Sequence, residues 1–190
     1  MHKLITNYLS SLLDVLAKNS FDQVPELGNA LLIAWKNGNN VYFCGNGGSA
    51  GNANHLANDF IYGAGISNGA GLRAESLSAN TAVLTCLAND IGYESIYSEQ
   101  IRIKGNPGDI LIALSGSGNS PNIVKAIERA NQMELKTFAI LGFSGGRCKE
   151  IAQYPIHFAV NDMQLAEDLQ LIVGHMCMQW LCKQKLSKKS

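Results

Sequence analysis

The chain has 190 residues, its 15 lysines and arginines balance 15 aspartates and glutamates, and 46% of it is hydrophobic. That length suits one α/β domain with a real core rather than two ordinary domains, and the even charge balance gives no ground for nucleic acid as a ligand. No apolar run is long enough to cross a bilayer and the N-terminus lacks a charged-then-apolar signal pattern, so a cytoplasmic protein without a membrane partner is expected.

Apolar positions at helical spacing, Leu4, Tyr8, Leu12, Val15 and Leu16, then Leu27, Leu31, Ile33 and Trp35, predict helices over 3–18 and 24–36. A turn over 37–40 leads into a short buried strand, 41–44, which feeds the run Cys44-Gly45-Asn46-Gly47-Gly48-Ser49. A helix over 49–61 follows, with Ser49 as its expected N-cap, then a Gly-rich loop over 63–71 that could line a site. A strand near 72–77 and helices over 81–87 and 93–103 come next, the helices separated by 89–92. The turn at 106–109 precedes the clearest buried strand, 110–114, and the second run, Ser115-Gly116-Ser117-Gly118-Asn119-Ser120. A helix over 121–133, a strand over 137–141, a short helix over 145–152, a strand over 156–160 and a long helix over 164–183 complete the pattern. The basic segment 183–189 reads as a solvated helix end. Strands alternating with helices imply a parallel sheet covered on both faces, with ligands at the strand carboxyl ends. The two leading helices have no strand between them, so they pack on the domain or on another subunit, and a homo-oligomer is expected.

Each Gly/Ser run follows a strand and opens a helix. Glycine lets backbone N–H groups approach an anion closely, and the helix N-terminus adds unpaired donors and a favourable dipole. One such loop reads most simply as a turn ending a strand, but two at strand carboxyl ends point to a phosphorylated small molecule. Neither run has the dinucleotide spacing or a P-loop lysine, so no nucleotide cofactor is expected. Cys44, Cys86, Cys148, Cys177 and Cys182 are odd in number, scattered, and free of CxxC or Cys-His zinc spacing, as reduced thiols are.

His55 and Asp59, four residues apart, share a helical face and can converge on a metal or a sugar hydroxyl. On the last helix Glu167 and Asp168 both lie about two turns before His175; Asp168 aligns slightly better, and periodicity alone does not choose between them. Taken singly, His55 reads equally well as a capping or core histidine, and His175 as a buried neutral imidazole. Carboxylates such as Asp59 and Glu167 on otherwise apolar helices are rarely buried without partners. His157 reads as structural, and Asp90 and Asp109 as turn residues.

The runs 45–49, His55-Leu56-Ala57, Ala88-Asn89-Asp90-Ile91-Gly92-Tyr93, Gly108-Asp109-Ile110-Leu111 and 115–120 together resemble the sugar-isomerase (SIS) family, and within it the phosphoheptose isomerases. The resemblance covers nearly the whole chain, and on it 1–190 is one SIS domain, with 1–38 a helical extension and 39–190 the α/β core. It implies a flavodoxin-like three-layer α/β sandwich with a central parallel sheet and N-terminal helices, a homotetramer with sites between subunits, and a zinc ion. The implied reaction is aldose-ketose isomerisation of sedoheptulose 7-phosphate to D-glycero-D-manno-heptose 7-phosphate for lipopolysaccharide or capsule heptose.

By the same resemblance Ser115, Gly116, Ser117 and Ser120 bind the phosphate, and Asn46, Gly47, Ser49, Asn80, Asp162 and Glu167 contact substrate. The metal set is His55, Asp59, Glu167 and His175, with Asp59 as base and His175 as acid, and the resemblance favours Glu167 over Asp168. The chain departs from the family in carrying Asp59 for a glutamate, Glu167 for a glutamine and Asn80 for an aspartate, and in lacking an arginine near Gly63. A non-catalytic SIS protein that binds a phosphosugar or a protein partner, like the DnaA initiator-associating protein, is the alternative; retention of His55, Asp59, Glu167 and His175 favours the enzyme.

Overall fold

The computed structural model describes residues 1–65 and 70–184. Its five strands, β1 (Asn40–Gly45), β2 (Arg73–Ser76), β3 (Ile110–Ser115), β4 (Lys136–Leu141) and β5 (Tyr154–His157), form one sheet in the order β2-β1-β3-β4-β5. Every pairing is parallel, with Val41 beside Ile110 and Ile110 beside Lys136 setting the central register. All six residues of β3 are buried, because the central strand of a doubly covered parallel sheet has no solvent face.

The described residues also form eight α-helices, α1 (His2–Lys18), α2 (Gln23–Asn37), α3 (Gly48–Ile61), α4 (Thr81–Ile91), α5 (Ser98–Lys104), α6 (Pro121–Gln132), α7 (Gly146–Ile151) and α8 (Met163–Cys182), and two 3-10 turns, Gly63–Gly65 and Tyr93–Ser95. One face of the sheet packs Phe43, Ile112 and Phe138 against Leu31 of α2, Leu56 and Phe60 of α3, and Leu169 and Val173 of α8. The other face packs Cys44, Leu111 and Ala139 against Ile101 of α5 and Ile123 and Ile127 of α6. The flavodoxin-like three-layer sandwich expected from the sequence is thus the observed fold, with each fully buried Leu, Ile or Phe worth about 1.5–3 kcal/mol.

Several boundaries differ from the sequence reading. The α3 helix starts one residue early, so its N-cap is Gly47, and the buried Ser49 turns inward to accept a hydrogen bond from Gln170. The α4 helix runs on through Asn89 and Asp90 to Ile91 and stops only where Gly92 takes φ 96°. The helix expected over 93–103 is a 3-10 turn, Tyr93–Ser95, followed by the shorter α5. The last strand begins at Tyr154 rather than 156, with Pro155 tolerated because β5 is an edge strand. Phe158 and Val160 leave the strand to enter the core. Part of the expected site-lining loop 63–71, residues 66–69, and all but the start of the basic segment 183–189 lie outside the described residues.

Candidate active site

In the order 2-1-3-4-5 the connections from β1 and β3 leave in opposite directions, and an open α/β sheet binds ligands in the crevice at that reversal. A cavity of about 260 Å³ opens there, lined by Asn46, Gly47, Gly48 and Ser49 after β1, by Ser115, Gly116, Ser117 and Ser120 after β3, and by Met163 and Glu167 of α8. Two loops far apart in sequence therefore meet at one site.

The β3–α6 loop is the better anion cradle. Ser120 is the N-cap of α6, yet its side chain makes no capping bond, and no acidic residue lies in that helix's first turn. Ser115 Oγ accepts the Gly118 amide at 3.1 Å and Ser117 Oγ accepts the Asn119 amide at 3.3 Å, which leaves both hydroxyl protons free to donate.

On the β1–α3 loop the side chain of Asn46 is held at both its nitrogen and its oxygen. Its Nδ2 donates to Asn122 Oδ1 at 2.9 Å, and its Oδ1 accepts from Asn122 Nδ2 at 2.8 Å and from the Tyr93 hydroxyl at 3.1 Å. Tyr97 donates to the Gly45 carbonyl just before it, and burial pushes that phenol far above its usual range, so it remains a neutral donor.

Farther along α3 a second group converges. His55 Nε2 and His175 Nε2 lie 2.9 Å apart, and Asp59 Oδ2 is 3.4 Å from the first and 3.5 Å from the second. All three donor atoms fall within 4.8 Å of one another. Ligands about 2.0–2.1 Å from a tetrahedral ion are about 3.3 Å apart, so this His-Asp-His set has the donor chemistry and the spacing to hold a divalent metal.

Close contact between α3 and α8 brings the group together. Gly174 provides it: a methyl at that position would lie 2.3 Å from a Leu56 methyl carbon, so only glycine lets His175 come up beside His55. A polar ladder fixes the same contact, with Asn52 Nδ2 donating to the Glu167 carbonyl and to Gln170 Oε1, each at 3.0 Å, and the buried Gln170 donating to Ser49.

Other expected residues are placed differently. Among the described residues Glu167 does not join the converging group; its side chain lines the cavity over Gly48. Asp168 is turned toward α1, where the Tyr8 hydroxyl donates to it. Asn80 and Asp162 are absent from the cavity lining; each is a helix N-cap, its carbonyl or carboxylate oxygen accepting the amide of Val83 or of Leu165. Asn122, Asn52 and Gln170 were not singled out from the sequence, and Tyr93 entered only as the end of the run 88–93. Asn122 leaves a trace there, as the one polar residue heading the apolar face Ile123, Ala126, Ile127 and Ala130.

Residues 6–142 match the family model described as SIS domain. A phosphoheptose isomerase of Akkermansia muciniphila is 41% identical over 141 residues, 74% of each chain. The chain belongs to the phosphoheptose isomerase family of SIS-domain proteins. Within that family the Rhodospirillum rubrum phosphoheptose isomerase is 36% identical over 153 residues, 80% of this chain and 81% of that one. The solved phosphoheptose isomerase of Francisella tularensis has the same fold, with a TM-score of 0.89 at 24% identity over 96% of this chain and 98% of that one. The resemblance expected from the motif runs is thereby borne out, and the SIS-domain chain is an isomerase by family.

Proposed function

We propose that this SIS-domain isomerase interconverts sedoheptulose 7-phosphate and D-glycero-D-manno-heptose 7-phosphate, supplying heptose for lipopolysaccharide or capsule. The observation that carries this reading is the pairing of a serine-lined phosphate cradle with a His55–Asp59–His175 group, formed where α8 meets the helix α3 that leads away from it. Gly48 at the cavity and His55 in the group are seven residues apart on α3, about 10 Å along its axis. A heptose 7-phosphate has its reacting carbons, C1 and C2, at the far end from its phosphate, as this separation requires.

Ser115, Gly116, Ser117 and Ser120 hold the phosphate, and Asn46, Gly47, Ser49 and Glu167 face the sugar. Asp59 takes a proton from C1 of the open-chain ketose, and the electron pair moves into a C1–C2 enediolate. His175 protonates the oxygen on C2 as that charge develops, the proton on O1 is released, and delivery of a proton to C2 leaves the aldehyde at C1. A zinc ion held by His55, Asp59 and His175 would polarise the carbonyl oxygen in place of the His175 proton, and Asp59 would then act as base through its other carboxylate oxygen.

The reading extends to assembly and location. Leu4, Ile5, Leu9 and Leu13 of α1 are at least 49% exposed, and α4 buries no residue at all, surfaces suited to the subunit contacts of a homotetramer. The α2 residues Leu27, Leu31 and Ala34 share the core of α8, in keeping with 1–190 as one domain. Five free thiols and a phosphorylated metabolite as substrate suit a cytoplasmic setting. The test is to incubate the purified, zinc-supplemented protein with sedoheptulose 7-phosphate and follow aldoheptose signals by proton NMR. Product from the parent protein, and none from Asp59→Asn, supports the reading; binding without turnover favours a non-catalytic phosphosugar protein instead.

A further inference from the structure

Glu167 occupies an unusual place in a site built for an anion. Its carboxylate lies directly over Gly48, where an added methyl would meet Oε2 at 2.3 Å and Oε1 at 2.4 Å. Gly48 is the first residue of α3, a 14-residue helix with no acidic side chain in its first turn and no side-chain cap from Gly47. The negative charge at that helix N-terminus is therefore supplied from α8, where the dipole favours it. Among the described residues the carboxylate takes no hydrogen bond and no ion pair, although it is half-buried and lines the cavity.

The two loops are thus unequal. The N-terminus of α6 and its serine hydroxyls stand open to a phosphate, whereas the N-terminus of α3 already faces a carboxylate. A carboxylate only accepts hydrogen bonds, so the ligand group beside it must donate them. A second anionic group there would meet a like charge.

We propose that Glu167 is a specificity-determining residue: laid over Gly48, it reserves the β1–α3 side of the cavity for hydroxyls and excludes an anion next to the phosphate. The substrate class is then a sugar monophosphate whose carbons nearest the phosphate carry hydroxyls, while phosphorylated sugar acids charged in that region are rejected. This rests on the phosphosugar reading above and narrows it.

Glycerol 3-phosphate and 3-phosphoglycerate form the test pair, since the second replaces a hydroxymethyl group with a carboxylate. Three carbons are too few to reach from the cradle to the His55 group. Dissociation constants for both, and for sedoheptulose 7-phosphate, are measured by ligand-observed NMR on the zinc-supplemented parent and on Glu167→Gln, which keeps the side-chain shape. The expected result is a preference for glycerol 3-phosphate of about tenfold or more in the parent that shrinks to within about threefold in the variant, the scale of one like-charge contact at a half-buried site. An equal preference in both proteins overturns the proposal while leaving the phosphosugar reading intact. Failure of all three ligands to bind the parent overturns both.

Discussion

Asn46 and Asn122 trade hydrogen bonds amide for amide, Nδ2 to Oδ1 at 2.9 Å one way and 2.8 Å the other. Asn122 is 1% exposed, so the pair ties a cavity-lining side chain to the buried head of α6 and locks the β1 loop to the β3 loop. Asn122→Ala leaves Asn46 unheld on one side and its own site unfilled, at a cost of about 1–3 kcal/mol in stability. Asn122→Asp sets an acceptor against Asn46 Oδ1. Steady-state kinetics should show kcat/KM for sedoheptulose 7-phosphate about tenfold lower in either variant, mostly through KM, and calorimetry should show a lower Tm.

On the proposed mechanism, metal content and chemistry should rise and fall together. Asp59→Asn and His175→Ala each remove one donor from a set within 4.8 Å, so zinc measured by elemental analysis after dialysis should fall at least tenfold. The rate should fall by about 10²–10⁴. Stripping the parent with a chelator and restoring zinc should abolish and then recover activity.

Gly174 sets how closely α8 approaches α3. Gly174→Val inserts side-chain carbons where a Leu56 methyl already lies 2.3 Å from the first of them, so it destabilises the protein by about 1–3 kcal/mol through overpacking. It also spreads His55 from His175. Truncation of Leu56 in the same chain should recover part of the zinc affinity that Gly174→Val loses, as titration calorimetry would show.

Much of this arrangement was legible in the sequence because it is local. A Gly/Ser run between a strand and a helix signals its own geometry, and His55 with Asp59 shows a shared face from spacing alone. What was not legible is tertiary. The choice between Glu167 and Asp168 depended on what each meets, and α8 turns Glu167 to the cavity and Asp168 to Tyr8 of α1. Asn80 and Asp162 came from the resemblance, and the caps they form, accepting the Val83 and Leu165 amides, depend on helix starts rather than on the site. Asn122 and Gln170 matter through partners 76 and 121 residues away, a relation no periodicity encodes.

The Tyr8–Asp168 contact gives the N-terminal helix a pH dependence. The hydrogen bond to Asp168, with desolvation and the Asp168 charge added, raises the Tyr8 phenol from 10.0 to about 12. A group raised on folding contributes its stability fully below its unfolded pKa and loses it as pH rises through the folded one. The contribution should therefore be intact at pH 9 and fade between pH 10 and 12. Tyr8→Phe should remove that segment of the stability curve, measured by chemical denaturation across the range.

Thiol labelling reports the core independently. Burial pushes Cys148 and Cys177 up to about 12 and Cys44 higher still, so alkylation in the folded state should spare all three. Cys86 is exposed, and its hydrogen bond to Asp90 raises it, so it should label slowly, and faster in Asp90→Asn. Mass spectrometry of tryptic peptides before and after unfolding reads all four sites.

On the proposed mechanism, Asp59 moves a proton between C1 and C2 of a phosphorylated ketose. The most direct test is to run the zinc-loaded protein with sedoheptulose 7-phosphate in deuterated water and locate deuterium in the recovered sugars by NMR. Deuterium at C2 of the aldoheptose 7-phosphate and at C1 of the remaining ketose, both lost in Asp59→Asn, is the result this account predicts. Bound ketose recovered unconverted and without deuterium, or conversion and exchange that persist in Asp59→Asn, would contradict it.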